Sequence, residues 1–369
     1  MATKYKHDAP SVHQFANKLP GPRAFKPAAG QPEQNTAFSN DVEIRQFRLS
    51  DCGSISDLPH RFELRHPESD GDRPGTLQLI VRRLLSGEDS RSPLYVARDA
   101  HTRQCLGTLQ CVQQGVDDRW YLQYLASREG IDDGNAVHIK LLEHAISQAG
   151  WRGARRLMAR SDFESPLTGT LRSVGFTAFT REYVYVLPEV PRGTTGKRVR
   201  VQEKSDVWSI HQLYLQTTPN EVQSAEALTS HVWDADNEGR SRRGWFVATD
   251  DGARAYARVR TTRRQHVLDV MFLPDARSHM PDLLNAVFQE LENESPRPVY
   301  VLVRGYQQEL DSLLESMGFW LESDQLIMVR YTTVPVPASV RPLEAFELLR
   351  PAEANGQRVP SFYVRDVHE

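Results

Sequence analysis

Leu157–Phe176 (LMARSDFESPLTGTLRSVGF) aligns without gaps on Tyr300–Phe319 (YVLVRGYQQELDSLLESMGF). Phe163 then meets Tyr306, Leu167 meets Leu310, Leu171 meets Leu314, and Gly175-Phe176 meets Gly318-Phe319. In each copy a short apolar run gives way to apolar residues at helical spacing, and the spacing ends on glycine. That succession reads as a buried strand, a helix and a left-handed glycine just past the helix end. Upstream, LYVARD at Leu94–Asp99 matches WFVATD at Trp245–Asp250, and Val42–Asp51 resembles Val199–Asp206. A period of roughly 145 to 155 residues is too long for a solenoid and indicates a duplicated domain.

Working outward, each half has the same order of elements. An opening strand (Glu43–Arg48; Arg198–Glu203) precedes a polar helix-start signal, Ser50-Asp51 or Ser205-Asp206. Two strands follow, Leu94–Asp99 with Cys105–Gln113 and Trp245–Asp250 with Ala253–Thr261, the second pair joined by the tight-turn signal Asp251-Gly252. A further strand (Trp120–Ala126; His266–Leu273) leads into an amphipathic helix (Asn135–Ala149; Pro281–Leu291), and the buried strand and Gly-Phe close the unit. Strands interleaved with helices in this way give an α/β (α+β) fold built twice. The boundaries read as a flexible Pro-rich arm at 1–40, a first domain at 41–188, a Pro/Gly/Thr linker at 189–197, a second domain at 198–332 and a tail at 333–369.

The 369 residues are 39% hydrophobic and 25% charged, the balance of a globular protein with room for two cores. A net charge of -3 supplies no global attraction to nucleic acid or anionic lipid, so neither is expected as a partner. Three cysteines, Cys52, Cys105 and Cys111, are too few and too scattered for a disulfide framework. With no apolar run long enough to span a bilayer and no secretory core, a cytoplasmic location is the expectation. Cys105 and Cys111, six apart, should share a strand face, but no His or Cys cluster around them has zinc-like spacing, and no metal is expected. Neither a G-x-S-x-G elbow nor a phosphate-loop motif occurs, which removes serine hydrolases and P-loop nucleotide enzymes. Arg254, Tyr256, Arg258 and Arg260 fall on one face of a strand, as a solvated basic face or a receptor for an acidic group.

The order of elements, the duplication and the Gly-Phe pairs resemble the GNAT superfamily of N-acetyltransferases in tandem, covering roughly 41–188 and 197–332. The resemblance implies two consecutive GNAT-like domains, each a mixed, mostly antiparallel twisted sheet flanked by helices. It implies acetyl-CoA as acyl donor, its pantetheine held by a splayed strand and its pyrophosphate by a glycine-containing turn at the next helix N-terminus. Unpaired N–H groups and the positive end of the helix dipole favour an anion there. Carried onto this chain, the cofactor residues are Leu125, Ala126, Ser127, Asp133, Gly134, Asn135 and Ala136. The turn itself reads Ile131-Asp132-Asp133-Gly134-Asn135-Ala136, with isoleucine where the family has Gln or Arg; in the second half Pro274–Met280 contains no glycine.

For catalysis the resemblance implies a tyrosine acid four residues before the Gly of Gly-Phe, where this chain has Leu171 and Leu314, and an asparagine seven residues earlier, where it has Glu164 and Gln307. A strand carboxylate would be Asp269 in the second half; the first half has Gln123 there. No catalytic residue is assigned. Two functions follow: an acyltransferase that moves an acetyl group to a small-molecule or peptide amine, or a noncatalytic CoA-binding or interaction module. A homodimer stays open.

Overall fold

The computed structural model describes residues 42–51, 91–113, 118–128, 134–190, 199–234, 242–249, 252–262, 264–292 and 297–332. The strands are β1 (Val42–Gln46), β2 (Leu94–Asp99), β3 (Cys105–Gln113), β4 (Arg119–Ser127), β5 (Arg156–Asp162) and β6 (Thr177–Leu187) in the first half. Those of the second are β7 (Val199–Val201), β8 (Arg242–Thr249), β9 (Gly252–Thr261), β10 (His266–Phe272), β11 (Val299–Arg304) and β12 (Trp320–Tyr331). Helices α1 (Gly134–Trp151) and α2 (Pro166–Ser173) belong to the first half. Helices α3 (Val207–Thr217), α4 (Asn220–Glu226), α5 (Met280–Glu292) and α6 (Asp311–Ser316) belong to the second.

All twelve strands form one sheet in the order β1-β2-β3-β4-β5-β12-β6-β11-β10-β9-β8-β7. The pairs β4/β5 and β10/β11 are parallel, and every other pair is antiparallel. The last strand of each half has crossed to the other. β12 lies on β5, β6 lies on β11, and the two pair with each other at the centre. Each half therefore completes its sheet with a strand of the other, which the local pattern of the sequence does not signal.

Local chemistry accounts for the elements. Ser165 accepts the Leu167 N–H and Pro166 occupies the first position of α2, a strong start signal. Gly175 and Gly318 take φ of +88° and +89° at the ends of α2 and α6, and Gly252 takes +115° where β9 begins. The two opening strands repeat one device: Arg45 grips Asp51 with both guanidinium nitrogens, and Arg200 grips Asp206 likewise, six residues on in each case. Asp206 also accepts the Glu203 N–H, so it does not cap α3 with its side chain as the sequence suggests. These bonds hold both carboxyls below the usual aspartate range although burial opposes it.

One core packs α1 and α2 on the sheet through Val137, Leu141, Leu142, Ala145, Leu167 and Leu171, against Leu109, Leu125, Leu157 and, from β12, Met328. Its counterpart packs α5 and α6 through Leu284, Val287, Phe288 and Leu314, against Val259, Leu268, Val301 and, from β6, Tyr185. Helix α3 covers the alternate residues Phe246, Tyr256 and Met271. Cys105 and Cys111 fall in different cores rather than on one face. The reason is a bulge: Ala97 pairs with Gly107 and Arg98 with Cys105, so Leu106 is an extra residue that reverses the alternation. Burial raises both thiols, to about 11 and about 12, so neither is a poised nucleophile. Cys52 lies outside the described residues.

Gly107 lets α1 lie close to the sheet. A Cβ there would stand 2.9 Å from the Ala126 carbonyl oxygen and 3.1 Å from Val137 Cγ1. Gly107→Val is accordingly expected to lower stability by about 1–3 kcal/mol in urea unfolding, through overpacking.

Candidate functional site in the first half

The two parallel pairs are forks. In the first half, β4 and β5 are in register only at Arg119/Arg156, Trp120/Leu157 and Tyr121/Met158, while β4 stays paired with β3 as far as Ser127. From Leu122 onward the edge of β4 that faces β5 has left that ladder. Gln110 pairs with Tyr124 and Cys111 with Leu122, so Gln123 is a bulge at the mouth of the fork, a feature that bends a strand and ends pairing. The chain then reaches the N-terminus of α1 at Gly134, whose first turns carry N–H groups without a helical acceptor of their own. An extended polar arm with an anionic end is the ligand such a fork suits.

The residues expected to hold a cofactor are distributed as follows. Leu125 is buried in the core, Ala126 is buried opposite Thr108, and Ser127 pairs with Gly107. Gly134 opens α1, Ala136 is half-buried, and exposed Asn135 accepts a hydrogen bond from Thr170 Oγ1 at 2.6 Å, which ties α1 to α2. Asp133, with Ile131 and Asp132, lies outside the described residues.

The second fork is filled by its own chain. β10 and β11 are in register from His266/Val299 to Asp269/Leu302 and then part. There Gln307 Nε2 donates to the Val270 carbonyl at 3.1 Å. The next turn is a 3-10 helix, Pro274–His279, in which the Ala276 N–H bonds Leu273 and the Met280 N–H bonds Arg277. Pro281 has no N–H to offer. Two donors at this end of α5 are thus bonded within the turn, and a third position has none.

The carboxylate singled out on β10, Asp269, stands opposite Arg258 of β9 and pairs with it at 3.1 Å. Arg258 also lies over the Trp233 ring, 5.1 Å from its centre, and donates to the Val232 carbonyl. Arg254 pairs with Asp275 at 2.9 Å, and the Tyr256 hydroxyl donates to Gln202 Oε1 at 2.8 Å. Arg254, Tyr256 and Arg258 are thus paired, with Trp233 against Arg258, so these three make neither a solvated basic stripe nor an open receptor. Leu171 and Leu314 are both fully buried in the cores. Tyr185 is buried too, and burial together with Asp311 pushes its hydroxyl well above the ordinary tyrosine range. Among the described residues no group of His, Cys, Asp and Glu is placed to hold a metal ion, and no helix is long and apolar enough to cross a membrane.

Sequence reasoning missed Gln307 in the second fork and the Arg258/Asp269 pair on the neighbouring strands. In the sequence, Gln307 stands out only as the residue in place of a family asparagine. Its task depends on the 3-10 turn Gly305–Leu310, which brings it under Val270. The pairing of Arg258 with Asp269 had a usable signal, since both alternate on adjacent strands of one hairpin.

No protein-family model matches the chain, and no curated protein matches it. Among solved structures, a GCN5-related N-acetyltransferase from Sphaerobacter thermophilus matches with a TM-score of 0.53 at 12% identity, over 80% of this chain and 97% of that one. A tandem GNAT protein from the clavulanic acid biosynthesis pathway matches over 79% of this chain and 99% of that one, at 13% identity and a TM-score of 0.49. A GCN5-related N-acetyltransferase from Kribbella flavida covers 80% and is itself covered to 73%, at 11% identity and a TM-score of 0.43. With its two forks and repeated order of elements, the chain has a tandem GNAT-type fold, a mixed α/β architecture.

Proposed function

We propose that the protein is an acyl-CoA-dependent N-acyltransferase, with acetyl-CoA as donor, whose cofactor lies in the fork of the first half. The observation that carries this reading is the contrast between the forks. In the first, the ladder between β4 and β5 stops at Tyr121 and the chain runs on to a glycine at the head of α1. In the second, Gln307 bonds the strand edge at Val270, and a proline-containing 3-10 turn bonds the Ala276 and Met280 N–H groups within itself. The donor arm would run along Leu122–Ser127, with its pyrophosphate at Gly134–Ala136. Held there, the thioester carbonyl is open to an unprotonated amine of a small molecule or peptide. A C–N bond forms, the C–S bond breaks, and the amine proton leaves with the CoA sulfur. Orientation and backbone donors at the bulge supply the catalysis, without a side-chain acid.

A second reading has a specific observation behind it. The two positions where the family carries a tyrosine acid are leucines sealed in the cores, which favours a CoA-binding or interaction module without chemistry. Calorimetric titration with acetyl-CoA tests the cofactor binding on which the first reading depends. Wild-type protein is expected to bind about one cofactor per chain, and Gly134→Trp, which fills the head of α1, to lose that binding while keeping its unfolding transition. Absence of wild-type binding at millimolar acetyl-CoA would end the first reading and leave only an interaction module. Binding with no transfer to any amine in a panel of polyamines, amino acids and peptides would leave the second.

A further inference from the structure

The seam between β6 and β12 is centred on one pair, Glu182 opposite Gln325, with Tyr183 opposite Asp324 and Arg181 opposite Leu326 on its two sides. Glu182 and Gln325 are spaced like the aligned repeats and so hold equivalent positions in the two halves, yet they differ in charge. In the flanking ladders Glu182 stands opposite Arg304 of β11, and Gln325, one residue out of step with the repeat, opposite Asp162 of β5. Glu182 is fully buried between Arg160, at 2.9 Å, and Arg304, at 3.5 Å. Arg304 continues to Glu226 of α4 at 2.9 Å, and Glu226 accepts from the Tyr214 hydroxyl at 3.0 Å. Gln325 is buried and neutral, and Arg181 holds both oxygens of Asp324.

We infer that this seam is a recognition surface that accepts only the unlike half, so that the partner of each half is the other half of the same chain. Like-with-like pairing in the same register can be written out from the strands. Two first halves would set Glu182 against a second Glu182, each across from Asp162 in place of Arg304, and would bring Arg181 diagonally onto another Arg181. Two second halves would leave Arg304 without Glu182 and bring Asp324 onto another Asp324. Both arrangements bury like or unpaired charge, which costs far more than a neutral misfit. The unlike seam puts one carboxylate between two arginines and joins the remaining charges crosswise. Repulsion in the alternatives, as well as attraction in the native pair, sets the choice.

The test uses the full-length chain with Gln325→Glu, which recreates the like-charge centre inside the native seam. Its Tm is expected to fall by about 5–10 °C, the scale of an unpaired buried charge in a unit of this size. Gln325→Met, similar in volume and without charge, is expected to stay within about 3 °C of wild type. A second measurement places a protease site within residues 191–198 and cleaves after folding; native mass spectrometry should then find the two unlike fragments together, one of each. Equal losses in the Glu and Met variants would overturn the inference. So would cleaved fragments recovered as like pairs or as separate monomers.

Discussion

Glu182→Leu is expected to remove about 3–5 kcal/mol of stability, among the largest effects of any single substitution in the chain. The carboxylate is fully buried and is the link between Arg160 of one half and Arg304 of the other. Burial works against the Arg304 charge, but Glu226 and Glu182 more than offset it and keep the guanidinium ionised. Leucine would leave Arg160 without this carboxylate and Arg304 with Glu226 alone. Stranding a buried charge costs more than the native pair contributes, because the desolvation of the survivor is no longer compensated. Urea unfolding monitored by tryptophan fluorescence measures the loss. A change below about 1 kcal/mol would mean that water reaches the arginines and that the network does not hold the halves together.

Acid should weaken the protein before its carboxylates titrate, through His138. This residue of α1 is 5% exposed, and burial depresses its folded-state pKa to about 4 from an ordinary value near 6.5. Above pH 6.5 both folded and unfolded forms are neutral and the full stability is present. As pH falls below 6.5 the unfolded chain takes up a proton that the folded chain refuses, so stability declines until about pH 4, where the folded form also binds one. The gap corresponds to a loss of roughly 3 kcal/mol over that window. His144 and His211, whose values burial also lowers, add to the same slope. His138→Phe should flatten the profile between pH 6.5 and 4.5 relative to wild type. Equal slopes in the two proteins would show that the imidazole protonates freely in the folded state.

The elements were legible where local chemistry sets them. Glycine ends α2 and α6 at the positions the repeat marks, and the strand before each is an apolar run because a parallel strand is covered on both faces. Leu171 and Leu314 stand where the family carries a tyrosine acid, and both are buried in the cores. The crossing of β6 and β12 was not legible. Strand alternation fixes which face a residue takes, but not which of two similar neighbours it joins, and both halves offer nearly the same apolar partners. The Cys105/Cys111 assignment failed for a related reason: a single extra residue at Leu106 inverts the alternation without a signature such as Gly or Pro at that position. At the candidate site, the glycine at the head of α1 was visible. The side chain that fills the second fork, Gln307, needed the turn that places it, and the Arg258/Asp269 pair needed the strand register.

Amide hydrogen exchange on the full-length protein, with and without saturating acetyl-CoA, tests the central claim that the first fork holds the acyl donor. Slowed exchange is expected in Leu122–Ser127 and in the first turn of α1 from Gly134, with Val270–Met280 unchanged. Protection confined to Val270–Met280, or no change in either fork, would contradict it.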